Sequence, residues 1–264
     1  MTPGADRRHS PASAVSFDRI AGDYDRSRGG DVRGRDFADS LAEWLHPGLS
    51  VEVGVGTAIV AAALAARGRD VIGIDISAEM LARARSRLGS RIARADACRL
   101  PLAEGSVDNV YTVWVLQLVT DHERYFEEAA RIIRAGGRVV NIAGRGHYPD
   151  DDDIARLVIP MHARLRADTD EGDQLVVAAA NAGLVLVSKS LVGLHRFEIS
   201  PNEEADRHER RELSIVWDLP SAMWANEVAP VIAALRALPE PDRRRRRRPR
   251  SEVTIFETPH SATT

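Results

Sequence analysis

Acidic residues and glycines recur at the ends of three predicted strands. Glu52 stands just before Gly54 and Gly56, Asp75 follows Glu52 by 23 residues, and Asp96 follows Asp75 by 21 residues. The glycines allow a tight turn and a close approach of a ligand to the backbone, and the helix after them offers free N–H groups. A carboxylate after the second strand is placed to accept both ribose hydroxyls of a nucleoside. The third acid is placed to accept hydrogen bonds from an adenine amino group.

Two apolar residues beside the second acid, Ile76 and Met80, extend this pattern because they can cover one face of an adenine ring. Each feature also has an ordinary structural interpretation, since glycines turn a chain and Asp75 or Asp96 can cap a helix or lie in a solvated loop. The joint spacing of the three acids favours a site for a ligand that contains adenosine.

An alternation of short apolar strands and helices positions these residues. The pattern predicts strands at 49–53, 70–74, 91–95, 107–116 and 138–142. It predicts helices at 57–67, from a Ser77 cap to 88, and from the Thr120–Glu123 capping box to the Gly136-Gly137 pair. Such an alternation is typical of an α/β protein with a parallel doubly wound sheet, whose strand carboxyl ends share one edge.

The chain after residue 145 has a looser pattern. We predict helices at 154–166 and 172–182, a sixth strand at 184–199 with a bend at Gly193, and a last strand at 253–256.

Residues 16–145 resemble the class I S-adenosyl-L-methionine (SAM)-dependent methyltransferases, in particular bacterial members that act on small molecules. The motifs that carry the resemblance are Phe17-Asp18-x-x-Ala21-x-x-Tyr24-Asp25, Glu52–Thr57, Gly73–Ser77, Ala95–Ala97 with Leu100-Pro101, Asp108–Asp121 and Arg134–Arg138. The resemblance implies an α/β, Rossmann-like fold, with a mostly parallel seven-stranded sheet, helices on both faces and an antiparallel last strand. It also implies SAM as the cofactor.

The resemblance implies roles for single residues around the cofactor. Gly54 and Gly56, in the motif that Glu52 opens, would line the methionine part of SAM. Asp75 would bind the ribose, and Asp96 with Ala97 would hold the adenine.

Other positions complete the implied site. Val113, at the end of the fourth strand, would border the sulfonium, and Tyr24 would close over the cofactor. Arg28 is placed to pair with the SAM carboxylate. The family usually has a third glycine where Ala58 stands, so we expect weaker or adjusted cofactor binding.

Methyl transfer from a sulfonium mainly requires alignment of the acceptor and exclusion of water. If the acceptor is a hydroxyl, a base helps, and His147 is the first candidate and His122 the second. Both histidines also have ordinary interpretations, as a loop residue and as a residue of a helix's first turn. The family often has a histidine where Gln117 or Leu118 stands, so we expect no base from that turn.

Composition excludes several classes of protein. The formal charge of −3 argues against a nucleic-acid surface, and Cys98, the single cysteine, forms no internal disulfide and is interpreted as a packing residue. The eight histidines show no zinc-ligand spacing, so no metal is expected. The longest apolar run, 59–66, is too short for a membrane span, and the N-terminus lacks a signal-peptide pattern. We therefore expect a cytoplasmic protein without membrane contact.

We predict four regions: a disordered N-terminus at 1–15, a helical lid at 16–48, a SAM-binding core at 49–145, and acceptor-pocket elements that complete the sheet at 146–264. The predicted partner is a small-molecule acceptor, and Trp217, Met223 and Trp224 are candidates to line its pocket, although core packing explains them as well. A homodimer remains one alternative for the oligomeric state.

The arginine run Arg243–Arg248, with Arg250 beyond it, is the strongest charge feature. It has no interleaved aromatic residues and prolines flank it, so we interpret it as a solvated loop rather than an RNA contact.

The predicted function is methyl transfer from SAM to an O, N or C atom of a small molecule in specialised metabolism. A methyltransferase-fold protein that binds SAM without methylating, such as a cyclase, is the first alternative. RNA methylation rests only on the arginine run. An NAD-dependent oxidoreductase is disfavoured because Ile59 stands where that fingerprint requires Gly or Ala.

Overall fold

The computed structural model describes Phe17, Asp25 and residues 30–165, 171–193 and 196–259. The predicted disordered segment 1–15 and most of the lid before residue 30 lie outside the described residues. The chain divides into two units. The first comprises the described parts of Met1–Arg145, Glu171–Leu191 and Glu252–Thr264, and the second those of Gly146–Asp170 and Val192–Ser251.

A seven-stranded sheet forms the framework of the first unit. Its strands are β1 Leu49–Val53, β2 Asp70–Asp75, β3 Ile92–Arg94, β4 Val107–Val113, β5 Ile133–His147, β6 Val185–Val192 and β9 Arg250–Glu257. Their order is β3-β2-β1-β4-β5-β9-β6. The pairs β1–β2, β1–β4, β2–β3 and β4–β5 are parallel. The carboxyl ends of the first strands therefore meet at one edge, as predicted.

The last strand, β9, runs antiparallel to β5. Arg138 near the start of β5 bonds Glu257 near the end of β9, whereas Asn141 further along β5 bonds Thr254, which comes earlier in β9. The Gly136 N–H donates to the Thr258 carbonyl oxygen, and the Thr258 N–H donates to the Gly137 carbonyl oxygen, which agrees with the antiparallel direction. The predicted sheet, mostly parallel with an antiparallel last strand, is confirmed.

Helices α1 Gly30–Trp44, α2 Ile59–Ala65, α3 Ala78–Leu88, α4 His122–Ile132 and α6 Glu171–Asn181 complete the first unit. Ser77 caps α3 through its hydroxyl, which accepts from the Met80 N–H, as predicted. The cap of α4 is Asp121, which accepts from the Arg124 N–H, so the predicted Thr120 capping box was displaced by one residue. Apolar side chains of α4 and α6 pack with β1, β4 and β5 in one continuous core.

The start of β5 differs from the prediction. Gly136 and Gly137 do not end α4, because the helix stops at Ile132 and Ile133 is already extended. The pairing of β4 with β5 shifts register over this segment. A Cβ at Gly137 would lie 2.6 Å from the Asp108 carbonyl oxygen, so glycine is needed for the close approach of the two strands.

The second unit is a small helical unit with its own core. It contains α5 Asp153–Leu165, β7 Phe197–Ile199, α7 Pro201–Glu209, α8 Ser221–Met223, a π-helix Trp224–Val228, α9 Ala229–Arg236 and β8 Arg245–Arg247. The predicted sixth strand at 184–199 is confirmed only as far as Val192, next to the predicted bend at Gly193, because β7 pairs antiparallel with β8 in a separate sheet. Apolar residues of α5, α7 and α9 form the core.

The arginine run is not a solvated loop, since three of its residues form β8. Side chains alternate along a strand, so Arg246 is exposed while Arg247 is buried. The Arg247 guanidinium pairs with Asp152 at 2.7 Å and lies 4.1 Å from the ring centroid of Tyr148. Arg243 to Arg247 each have an acidic partner, in order Glu240, Glu203, Asp153, Glu198 and Asp152.

Candidate cofactor site

The turn after β1 requires glycine at Gly54 for two reasons. Its φ is +73°, and a Cβ there would lie 2.4 Å from Cγ2 of Val115. The N–H groups of Gly54 and Val55 both donate to the carbonyl oxygen of Ile74, at 2.7 Å and 2.9 Å. The turn is thereby attached to the end of β2, where the second acid follows.

Gly56 and Asp75 are directly bonded. The Gly56 N–H donates to Asp75 Oδ2 at 2.7 Å, and the Ser77 N–H donates to Asp75 Oδ1 at 2.9 Å. Gly56 has φ +53°, and no heavy atom of the described residues lies within 4 Å of the position of an added Cβ. The two bonds to Asp75 orient its carboxylate at the sheet edge.

Ala58 occupies the position where the resembling family has its third glycine. Its φ is +65° and ψ is 29°, which is left-handed backbone, and the residue is fully buried at the start of α2. An L-residue pays roughly 1–2 kcal/mol for this conformation, whereas glycine adopts it freely. The methyl group therefore strains the loop whether or not a ligand is present.

The third acid, Asp96, lies next to the second. The Ala95 N–H donates to the Asp75 carbonyl oxygen at 3.0 Å, which connects the ends of β2 and β3. Asp96 Oδ1 accepts from the Cys98 N–H at 2.8 Å and so shapes the turn that follows. Ala97, within that turn, is half-buried and packs against the core.

The apolar residues assigned to the site differ in exposure. Ile76 is 46% exposed, which suits a side chain that covers a ligand ring, whereas Met80 is 2% exposed and is a core residue of α3. Val113 is the half-buried last residue of β4. Trp114 follows it with φ +60°, so the chain turns sharply at the carboxyl end of β4.

Glu52 lies on the buried floor of this edge. The Tyr111 hydroxyl of β4 donates to Glu52 Oε2 at 3.0 Å. Burial raises the pKa of Glu52 from its ordinary value of 4.5 to about 8, and the charge of Asp75 acts in the same direction. Hydrogen bonds to Tyr111 and to the Ala61 backbone lower the pKa of Glu52, as does the charge of Arg33. These effects offset the rise only in part. Glu52 is therefore largely protonated at neutral pH.

Arg33 is a candidate site residue that the sequence pattern did not predict. It lies on α1, is 5% exposed, and places its guanidinium carbon 4.9 Å from the ring centroid of Trp114. Phe37, one turn later, packs edge-on against the same indole at 5.4 Å. Arg33, Phe37 and Leu41 recur every four residues on the buried stripe of α1. A charged residue on that apolar stripe was the signal that could have identified it.

Asp25 joins the predicted lid motif to the glycine loop. Its carboxylate accepts from the Thr57 hydroxyl and pairs with Arg87 at 2.8 Å. Arg87 also donates to the Thr57 carbonyl oxygen at 2.8 Å. Tyr24 and Arg28, the two lid residues assigned to the cofactor, lie outside the described residues.

The two candidate bases have different surroundings. His122 Nε2 lies 2.9 Å from the Leu116 carbonyl oxygen, which only accepts, so that nitrogen carries a hydrogen and holds the 3₁₀ turn Leu116–Leu118. Gln117 donates to the Trp114 carbonyl oxygen at 2.7 Å. His147 is the exposed last residue of β5 and belongs to the second unit. Its role as a base stays a prediction.

The single cysteine is not activated. Cys98 is buried, and burial raises the pKa of its thiol to about 12, with the charges of Asp96 and Asp121 acting in the same direction. Over the described ranges, no cluster of three or more His, Cys, Asp or Glu side chains suits a metal ion. A membrane-spanning helix is likewise absent from the part of the chain that the structure describes.

The proposed acceptor-lining residues lie in the second unit. Trp224 is half-buried, and the Arg211 guanidinium lies 4.4 Å from its ring centroid. Arg211 also donates to the Trp217 carbonyl oxygen at 2.6 Å. Met223 is 42% exposed at the start of the π-helix.

Curated proteins with a related sequence are methyltransferases. A demethylmenaquinone methyltransferase of Parafrankia sp. (strain EAN1pec) is 34% identical over 160 residues, which cover 51% of this chain and 63% of that protein. A demethylmenaquinone methyltransferase of Mycobacterium sp. (strain JLS) is 36% identical over 132 residues, or 48% of this chain and 57% of that protein. The chain thus spans about three fifths of the length of these curated relatives.

The fold also matches solved structures. The crystal structure of the [4+2]-cyclase SpnF aligns with a TM-score of 0.61 at 17% identity, over 94% of this chain and 96% of that chain. A family model described as a methyltransferase domain matches residues 51–141, the segment from β1 into β5 that carries the glycines and the three acids. The similarity to methyltransferases therefore lies in the segment that carries the candidate cofactor site.

Proposed function

We propose that this chain is an enzyme that transfers a methyl group from SAM to an O, N or C atom of a small molecule in specialised metabolism. The observation that carries the proposal is the Asp75 carboxylate, oriented at the sheet edge by the N–H groups of Gly56 and Ser77. An acid so placed after a glycine loop suits the ribose of a nucleoside cofactor.

The residues around Asp75 fit the rest of SAM. Asp96, on the neighbouring strand end, is an acceptor for the adenine amino group, and exposed Ile76 offers an apolar face to the ring. Within the described part of the chain no heavy atom lies within 4 Å of an added Cβ at Gly56, which leaves room for the methionine part beside the backbone. When bound, SAM supplies an electrophilic methyl group on a positively charged sulfur.

At the other end of the site, we assign the SAM amino-acid group to Glu52 and Arg33. Arg33 is a buried guanidinium suited to a carboxylate, in addition to the predicted Arg28. Glu52 is a buried acceptor suited to an ammonium group once it gives up its proton. Tyr111, through its 3.0 Å bond, holds the Glu52 carboxyl in place.

The acceptor is assigned by class. Because the curated relatives named above are demethylmenaquinone methyltransferases, a demethylated naphthoquinone is the first acceptor to test. We retain a base only for a hydroxyl acceptor, and His147 is the proposed group. Carbon and nitrogen nucleophiles require alignment and the exclusion of water rather than a strong base.

A second candidate function is a SAM-binding protein that promotes another reaction. The likeness to a [4+2]-cyclase along nearly the whole chain favours this alternative, because the same fold then serves a reaction without methyl transfer. The mass of the product separates the two functions. Methylation adds one methyl group and releases S-adenosylhomocysteine, whereas cyclisation leaves the mass of the substrate unchanged.

The test is calorimetric titration of the full chain with SAM, S-adenosylhomocysteine and NAD, for the wild type, Asp75→Ala and Asp70→Ala. Asp70 begins the same strand and pairs with Arg91 at its opposite end, so it is the matched control. We expect SAM and S-adenosylhomocysteine to bind the wild type and Asp70→Ala but not Asp75→Ala. Equal SAM affinity in Asp75→Ala, or a preference for NAD, would sink the assignment.

A further inference from the structure

The second unit contains two histidines in direct contact, His162 on α5 and His208 on α7. Their Nε2 atoms lie 3.1 Å apart, and the rings are tilted by 37° with centroids 5.3 Å apart. His208 is fully buried, and His162 is half-buried. Neither residue belongs to the candidate cofactor site, so the pair needs a separate explanation.

The hydrogens of the pair follow from its partners. His208 Nδ1 lies 2.8 Å from the backbone carbonyl oxygen of Glu204. A carbonyl oxygen only accepts, so His208 Nδ1 carries a hydrogen, and in the neutral ring its Nε2 has a lone pair. His162 Nε2 must then be the donor in the 3.1 Å contact. The neutral pair is a directed hydrogen bond from α5 to α7.

A carboxylate on α7 lies beside His208. Glu204 Oε1 lies 3.7 Å from His208 Nδ1, and Glu204 Oε2 lies 3.1 Å from Arg207. Although burial raises the pKa of Glu204, the charges of Arg207 and Arg247, and those of His208 and His162 when they are protonated, lower it below its ordinary value. Glu204 is therefore ionised and stabilises a positive charge on the pair.

Charged groups on the other neighbouring elements are already paired. Helix α9 packs against both α5 and α7, and its one ionisable side chain, Arg236, binds Asp206 and Glu209 at the surface. The π-helix contributes Glu227, which binds Arg164 of α5. Arg247 of β8 binds Asp152. Glu204, itself paired with Arg207, is thus a charged group that lies beside His208.

We propose that His162 and His208 form a proton-sensitive latch that holds α5 to α7 and that opens when the pair takes up a second proton. With one added proton, one ring still donates and the other still accepts, so the contact persists beside Glu204. With two added protons, both Nε2 atoms carry hydrogens at 3.1 Å and two positive rings repel each other. The hydrogen bond is then lost.

The direction of the pH effect follows from proton counting. In the unfolded chain each histidine takes up its own proton near pH ~6.5, two in all. The closed latch holds at most one. The unfolded state therefore binds more protons in acid, and the folding equilibrium constant falls by up to about tenfold per pH unit below pH ~6.5 through this pair.

The experiment measures urea unfolding of the full chain between pH 8 and pH 5 for the wild type, His162→Gln and His147→Gln. A glutamine amide can donate to neutral His208 or accept from protonated His208. In His162→Gln, protonation of His208 in the folded protein therefore no longer breaks the contact between α5 and α7. Below pH ~6.5 we expect the free energy of unfolding of the wild type to fall more steeply with decreasing pH than that of His162→Gln. The difference in slope should correspond to about one proton. His147→Gln, which replaces an exposed histidine, keeps the wild-type slope.

A second measurement tests the latch in the wild type itself. Long-range ¹H–¹⁵N spectra of the imidazoles should show His208 with its hydrogen on Nδ1 at pH 8, and two separate titration steps shared by the pair. Independent titration of both rings, or equal slopes in the wild type and His162→Gln, would overturn the latch. So would a Zn²⁺-dependent rise in Tm that requires His162, since the pair would then be a metal site.

Discussion

The backbone N–H of Gly56 donates to Asp75 Oδ2 at 2.7 Å, so the glycine turn orients the acid that we assign to the ribose. The two glycines of this turn should respond differently to alanine. Gly54→Ala meets Val115 and should cost several kcal/mol of stability, about 2–4. Gly56→Ala meets no neighbour among the described residues, so it should cost only about 1–2 kcal/mol for its positive φ and mainly weaken SAM binding.

Thermal unfolding and calorimetric SAM titration of the two variants check this contrast. Equal losses of stability would mean that the close approach of Val115 to Gly54 does not constrain the turn.

Ala58 in left-handed backbone predicts a stabilising substitution. Ala58→Gly relieves roughly 1–2 kcal/mol of backbone strain and loses about 0.5–1 kcal/mol to greater freedom of the unfolded chain, so the variant should gain up to about 1.5 kcal/mol. Ala62→Gly, the same change in the interior of α2, should instead lose about 1 kcal/mol. Urea unfolding of both variants measures the two opposite signs. A loss in Ala58→Gly would contradict the strain at this position.

Glu52 predicts a pH dependence of stability in the cofactor-free protein. Its pKa is raised to about 8 by burial, so the folded state keeps a proton that the unfolded chain releases above its ordinary value of 4.5. The folded state then holds more protons between these values, and the free energy of unfolding falls as pH rises through this window. Glu52→Gln, which keeps an oxygen acceptor for Tyr111, should remove this fall.

The measurement is urea unfolding from pH 5 to pH 8.5, with Glu79→Gln, an exposed residue of α3, as the control. Parallel curves for the wild type and Glu52→Gln would show that Glu52 is ionised in the folded state. SAM affinity should rise with pH over the same window in the wild type, because the ionised form is the acceptor for the cofactor's ammonium group.

Arg33 predicts a loss of cofactor binding that exceeds the loss of stability. Arg33→Met keeps much of the apolar packing on Trp114 but removes the charge, so SAM affinity should fall at least tenfold, about 1.4 kcal/mol. Arg35→Met changes an exposed arginine of the same helix and should leave the affinity within twofold. Calorimetry of the three proteins tests the assignment. If adenosine, which has no carboxylate, loses as much affinity as SAM, Arg33 does not bind that group.

The arginine run predicts a structural rather than a nucleic-acid role. Arg247→Ala leaves Asp152 without its buried partner and should cost about 3 kcal/mol of stability. Arg246→Ala removes a side chain that is 82% exposed and should cost less than about 0.5 kcal/mol. Chemical denaturation compares the two variants. Tight RNA binding that is lost in Arg246→Ala would contradict this interpretation.

The local pattern of the sequence determined the sheet, the glycine loop and the three acids. These features follow from short-range rules, because a few neighbouring residues are enough to predict each strand, each helix cap and each turn. The spacing of Glu52, Asp75 and Asp96 follows from the lengths of those elements. Boundaries shifted by a few residues, as at Asp121 and Ile133, where the cap geometry and the pairing with β4 decide the last turn of the helix.

Only the tertiary structure decided the electrostatics and the long-range partners. Tyr111 lies 59 residues from Glu52 and donates to it, and burial keeps that acid protonated although the Tyr111 bond favours the ionised form. His162 and His208 are 46 residues apart, and the arginine run becomes a strand only where β7 is available to pair. Periodicity along the chain shows which residues are buried, but desolvation and pairing depend on what the rest of the fold places beside them.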